Sequence, residues 1–108
     1  MTDRQVISTN ESGGGATGES PVAARAIARG RVQGVFYRDT VRRAALEHGV
    51  RGSAINRADG TVALTLEGGR SAVHAVLAAA REGSRAAVVD ALDIEWVEPC
   101  GVQSFVVG

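Results

Sequence analysis

The sequence is short of cysteine, proline, aromatic rings and excess charge: one Cys, two Pro, one Trp, one Tyr, two Phe and a formal net charge of zero. Each shortage excludes something. With Cys100 alone, neither an internal disulfide nor a cysteine metal cluster can form, and a reducing compartment fits best. With so few rings, the core must be built from Ala, Val, Leu and Ile, which suffices for one small domain. No apolar run approaches the roughly 18 residues of a membrane helix, and the N-terminus lacks the apolar stretch of a signal peptide. A soluble, cytoplasmic protein is expected. A balanced charge argues against general nucleic-acid binding, which usually needs a basic excess.

What is present divides by sign and by pattern. The 108 residues are a normal length for one domain. Arg25, Arg29, Arg31, Arg38, Arg42 and Arg43 fall in a stretch whose single acid is Asp39, while Glu82, Asp90, Asp93, Glu95 and Glu98 share theirs with Arg85. The basic half should draw small anions. Residues 1–21 lack apolar periodicity and contain Gly13-Gly14-Gly15, so a disordered tail is expected ahead of a domain over residues 22–108.

Within that domain, Val22, Ala24, Ala26 and Ala28 alternate as one face of a first strand. Gly30 to Gly34 reads as a loop. From Phe36 to His48, the apolar positions Tyr37, Val41, Ala44 and Ala45 recur at helical spacing, and Gly49 closes the run. Gly52–Asn56 and Thr61–Glu67 flank the turn Arg57-Ala58-Asp59-Gly60 as a hairpin. Ser71 is a suitable N-cap for a second helix with face Val73, Val76, Leu77 and Ala80, closed by Gly83. Asp93–Val97 alternates again, with Trp96 expected in the core, and Ser104–Val107 offers an additional C-terminal edge strand. The class is α+β: a ferredoxin-like βαββαβ sandwich, an antiparallel sheet with two helices on one face.

Chemistry concentrates in Gly30-Arg31-Val32-Gln33-Gly34-Val35-Phe36-Tyr37-Arg38, where a strand empties into a glycine-containing loop and then a helix N-terminus. Such a loop lets successive N–H groups point at one oxygen cluster, and the helix end adds partial positive charge. Arg38 lies in the first helical turn, and helical side chains lean toward the N-terminus, so its guanidinium can swing back over the loop. The Gly-Lys-Ser/Thr ending of nucleotide-binding loops is missing, so no hydroxyl is offered to magnesium and a nucleoside triphosphate is not expected.

Over residues 23–108 the chain resembles the acylphosphatase family. That family's signature is Gly-Arg-Val-Gln-Gly-Val, then two residues usually ending in Phe, then Arg, which Gly30–Arg38 matches with Tyr37 in the Phe position. A second family block, Gly-Trp-Val-x-Asn with Asp-Gly three residues on, is similar to Gly52-Ser53-Ala54-Ile55-Asn56 followed by Asp59-Gly60, with Ser53 in the Trp position. The resemblance implies hydrolysis of acyl phosphates by a monomer without metal or other cofactor, and without nucleic-acid or membrane partners. It makes Arg38 the phosphate-binding arginine and Asn56 the residue that positions the attacking water. Backbone donors would come from Arg31, Val32, Gln33, Gly34 and Val35.

The competing reading is a non-catalytic module of the same fold that holds an anion or small ligand without turnover. An RNA-recognition domain shares the element order but needs exposed aromatics on its central strands, and Thr61–Leu66 has none. His74, off the apolar face of its helix, and His48, at a helix end, are expected at the surface rather than in catalysis. Cys100 has no activating histidine nearby in sequence and is expected to be structural.

Overall fold

The computed structural model describes residues 20–108, so nearly all of the expected tail lies outside the described residues. The chain forms β1 (Pro21–Arg31), α1 (Tyr37–His48), β2 (Arg51–Asn56), β3 (Val62–Gly69), α2 (Arg70–Glu82), β4 (Val88–Val97) and β5 (Phe105–Val107). The βαββαβ order holds, with the fifth strand added. Strands lie in the order β4-β1-β3-β2-β5. The first four pair antiparallel, whereas β5 runs parallel to β2, with Gly52 opposite Phe105 and Ala54 opposite Val107. The sheet is therefore mixed rather than wholly antiparallel. After β4 the chain leaves one edge of the sheet and returns on the other, travelling in the direction of β2.

Both helices pack on one face of this sheet. Their buried residues are Tyr37, Val41 and Ala45 on α1 and Val73, Val76, Leu77 and Ala80 on α2, the face the apolar spacing marks. On the sheet, the alternating alanines of β1 stand opposite larger apolar residues of β3: Ala24 with Leu66, Ala26 with Leu64, Ala28 with Val62. All six are buried. Small against large fills the layer without rings, as dense packing requires.

Three local expectations are corrected. Gly30 and Arg31 belong to β1, not to a loop, because the β1–β4 register shifts at Arg29/Gly30 and this bulge absorbs a residue. Gly30 sits at φ 123°, and a Cβ there would lie 2.2 Å from the carbonyl oxygen of Val88, so only glycine fits. The N-cap of α2 is Gly69, not Ser71, because β3 runs straight into the helix and leaves no loop in which Ser71 could precede it. Trp96 is 45% exposed rather than core. It lies on an edge strand beyond the rim of α2, with its ring 5.2 Å from that of His74 and 6.0 Å from the Arg70 guanidinium.

Candidate active site

Between the bulge and α1, residues 32–36 form an open loop that ends at the helix N-terminus. Gly34 takes φ 73° and Phe36, at the N-cap, φ 62°. The Phe36 carbonyl accepts from the N–H of Thr40 at 3.1 Å, starting the helix, while no side chain caps its first N–H groups. Among the described residues, the N–H groups of Gln33, Gly34, Val35 and Phe36 donate to no backbone carbonyl. A left-handed turn followed by uncapped helical amides is an anion-binding arrangement. Arg31 closes β1 opposite Val88 with its side chain exposed, so the loop proper begins at Val32. Val32 and Val35 are buried and anchor the loop to the core.

Gln33 clamps this loop to the β2–β3 turn. Its Nε2 donates to the carbonyl oxygens of Arg57 and Thr61, both at 2.8 Å. The turn is braced from within, because the Asp59 Oδ1 accepts from the Thr61 N–H at 3.0 Å and from its hydroxyl at 2.6 Å. Those two bonds hold the Asp59 carboxyl below its ordinary pKa. Asn56, the last residue of β2, immediately precedes this turn and continues the helix-facing side of the strand after Gly52 and Ala54. Its side-chain Oδ1 is buried and has no partner among the described residues.

Arg38 and Asn56, eighteen positions apart in sequence, converge on one atom. The Gly108 main-chain oxygen accepts from the Arg38 Nη1 and, at 3.0 Å, from the Asn56 backbone N–H. Gly108 arrives there because β5 continues the β2 ladder, its own N–H donating to Ala54 at 3.0 Å. A cavity of about 530 Å³ opens beside this junction, lined by Val32, Gly34, Phe36, Arg38, Arg42 and Val107, with Tyr37 and Asp39 completing its wall. Gln33 and Asn56 are not among its lining residues. Ser53 pairs with Thr65 and Val106 and alternates away from Ala54, so it projects from the face opposite the helices.

Two further residues hold the site in place, and neither stood out in the sequence as a functional candidate. Glu67 is 1% exposed, and its carboxylate accepts from the N–H groups of Cys100 (2.7 Å), Gly101 (3.0 Å) and Val102 (3.3 Å) and from the Cys100 thiol (3.2 Å). These donors keep its carboxyl below the ordinary glutamate range despite burial, the Cys100 N–H contributing most. They also fasten the segment that leads into β5, which Arg51 holds again by donating to the Val102 carbonyl at 2.9 Å. Tyr37 is buried, and its hydroxyl donates to the Ala80 carbonyl at 2.8 Å, supplying one of the acceptors in the last turn of α2 that has no helical donor. Burial pushes its pKa up to about 12.

The remaining candidates lie elsewhere. His48 and His74 are exposed and away from the cavity. The Cys100 thiol is raised by its bond to Glu67, the opposite of what activates a nucleophile. Among the described residues no group of three or more His, Cys, Asp or Glu could hold a metal ion, and no helix is long and apolar enough to cross a membrane.

Known proteins resemble this chain in sequence and in fold. The acylphosphatase family model matches residues 24–107. The chain is 40% identical over 80 residues to an acylphosphatase of Thermus thermophilus, covering 74% of this chain and 91% of that protein. It is 45% identical over 76 residues to one of Pyrobaculum aerophilum, covering 69% and 80%. The crystal structure of acylphosphatase from Bacillus subtilis superposes with a TM-score of 0.78 at 30% identity, over 81% of this chain and 98% of that one.

Proposed function

The chain belongs to the acylphosphatase family and hydrolyses acyl phosphates to carboxylate and inorganic phosphate, and from that premise we propose which groups do so here. Arg38 and the backbone amides of the loop that follows Arg31 (Val32, Gln33, Gly34, Val35) hold the phosphoryl group. Asn56 positions the water that attacks phosphorus. The catalytic unit is residues 22–108, and it works as a cytoplasmic monomer without a metal.

The observation that carries this reading is the convergence of the Arg38 guanidinium and the Asn56 backbone N–H on the Gly108 main-chain oxygen, beside a cavity into which the loop opens. A guanidinium has five donors, so one held by Gly108 leaves the others for phosphoryl oxygens. The anchor fixes the planar fork in advance, which lowers the ordering cost of binding. The loop amides supply further donors that need no reorganisation as charge redistributes on the phosphoryl oxygens. On the other side, the buried, unpaired Oδ1 of Asn56 is an acceptor suited to a hydrogen of the attacking water.

An amide cannot deprotonate that water. As its oxygen bonds to phosphorus and the phosphorus–acyl oxygen bond breaks, the proton passes to a phosphoryl oxygen. The leaving carboxylate has a pKa near 4, like that of Asp or Glu, and departs without a general acid. Orientation and charge neutralisation are what the protein has to provide. Inhibition by inorganic phosphate tests the cradle. Arg38→Ala should weaken that inhibition at least tenfold, as expected for a charge-assisted bond worth about 1.5–3 kcal/mol. Unchanged inhibition would remove Arg38 from the cradle.

A further inference from the structure

The rim of the cavity carries a large side chain that the hydrolysis itself does not use. Phe36 is 81% exposed, more than any other large hydrophobic among the described residues. It is also the one non-glycine residue among them with a positive φ. An exposed phenylalanine alone is unremarkable on a protein surface. Here its backbone is held in a region that bulky side chains avoid, and held strain of this kind gathers at ligand sites. The ring lines the same cavity as Arg38, together with Val107, which is 39% exposed.

A phosphoryl group seated on the loop amides and Arg38 has its non-bridging oxygens turned toward those donors. The bridging oxygen, and the acyl group beyond it, must then point away from them to the open side. Phe36 stands at that exit, because its own residue joins the loop to α1. We propose that Phe36, with Val107, is the shelf that selects the acyl group, favouring acyl phosphates with a flat aromatic or extended apolar acyl chain over short ones. This rests on the phosphoryl group lying at the 32–36 loop. A ring against an aromatic acyl group gains contact and edge or face attraction, and a side chain with only two χ angles loses little entropy in making it.

Benzoyl phosphate and acetyl phosphate separate the shelf from the cradle, since they share the phosphoryl group and differ only in the acyl part. The kcat/KM of Phe36→Ala should fall about three- to tenfold with benzoyl phosphate, the range of an aromatic contact, and stay within about twofold with acetyl phosphate. Phe36→Tyr, which keeps the ring, should restore the benzoyl value. Inhibition by inorganic phosphate and the melting temperature should match the parent in both variants, because the side chain is outside the core. An equal fall with both substrates would show that Phe36 acts on loop conformation, and no fall with either would show that it touches nothing; each overturns the shelf. The cradle is judged separately, by whether Arg38→Ala loses inhibition by phosphate.

Discussion

The cavity has two walls made in opposite ways. One is the run from Val32 to Arg38, seven consecutive residues that a left-handed turn and a helix start fold locally. The other is the approach of Val107 and Gly108, which depends on partners far away in sequence: Glu67 grips residues 100–102, Arg51 grips Val102, and β2 carries the ladder to Gly108. The first wall holds the loop amides and Arg38, and the second anchors that arginine. A local wall should tolerate loss of a distant contact, whereas the assembled wall should fail with its latch.

Glu67→Leu should therefore have the largest effect on stability. It removes the acceptor of three backbone N–H groups and should cost about 3 kcal/mol, at roughly 1–3 kcal/mol per stranded donor with some recovered by water. For a domain of this size that lowers Tm by more than about 10 °C in a thermal melt. The same carboxylate makes the parent sensitive to acid. Its folded pKa is depressed, so its stabilisation is complete above the ordinary glutamate range and is lost as pH falls through the lower folded value. A Glu67→Leu protein that melted like the parent, with the same acid limb, would mean that the second wall holds itself.

Tyr37→Phe sharpens the comparison from the other side, with a smaller effect. The ring stays in the core while the Ala80 carbonyl loses its donor, so about 1–2 kcal/mol of stability should go with little change in turnover. The raised pKa adds a signature at alkaline pH. The Tyr37 contribution is intact below about 10, the unfolded value, and lost as pH rises toward about 12, the folded one. Melts over that window should decline more steeply for the parent than for Tyr37→Phe. Parallel declines would show that the hydroxyl is not buried in the folded protein.

The same division accounts for what could be read from sequence. Element order and the helix faces were legible because apolar periodicities are local signals. The Asp59-Gly60 turn was legible for the same reason. Gly30 was read as a loop glycine because a bulge is defined by the strand opposite, in this case Val88 and Val89, nearly sixty residues on. The direction of β5 and the exposure of Trp96 depend on which edge of the sheet each strand occupies. Gln33 was legible as part of the motif, but the use of its amide to brace the turn after Asn56 was not. Glu67 looked like a polar end to an alternating strand; only the fold shows that residues 100–102 cover it.

The central claim is that Asn56 and Arg38, meeting at the Gly108 main-chain oxygen, divide the work between water and phosphate. Its most direct measurement is steady-state hydrolysis of benzoyl phosphate by Asn56→Ala with inorganic phosphate as competitor, on protein whose circular dichroism and melting match the parent. The account predicts that kcat falls by about a hundredfold or more, as for other lost transition-state contacts, while the phosphate inhibition constant stays within about twofold. Near-normal turnover, or a phosphate affinity that collapses together with kcat, would contradict it.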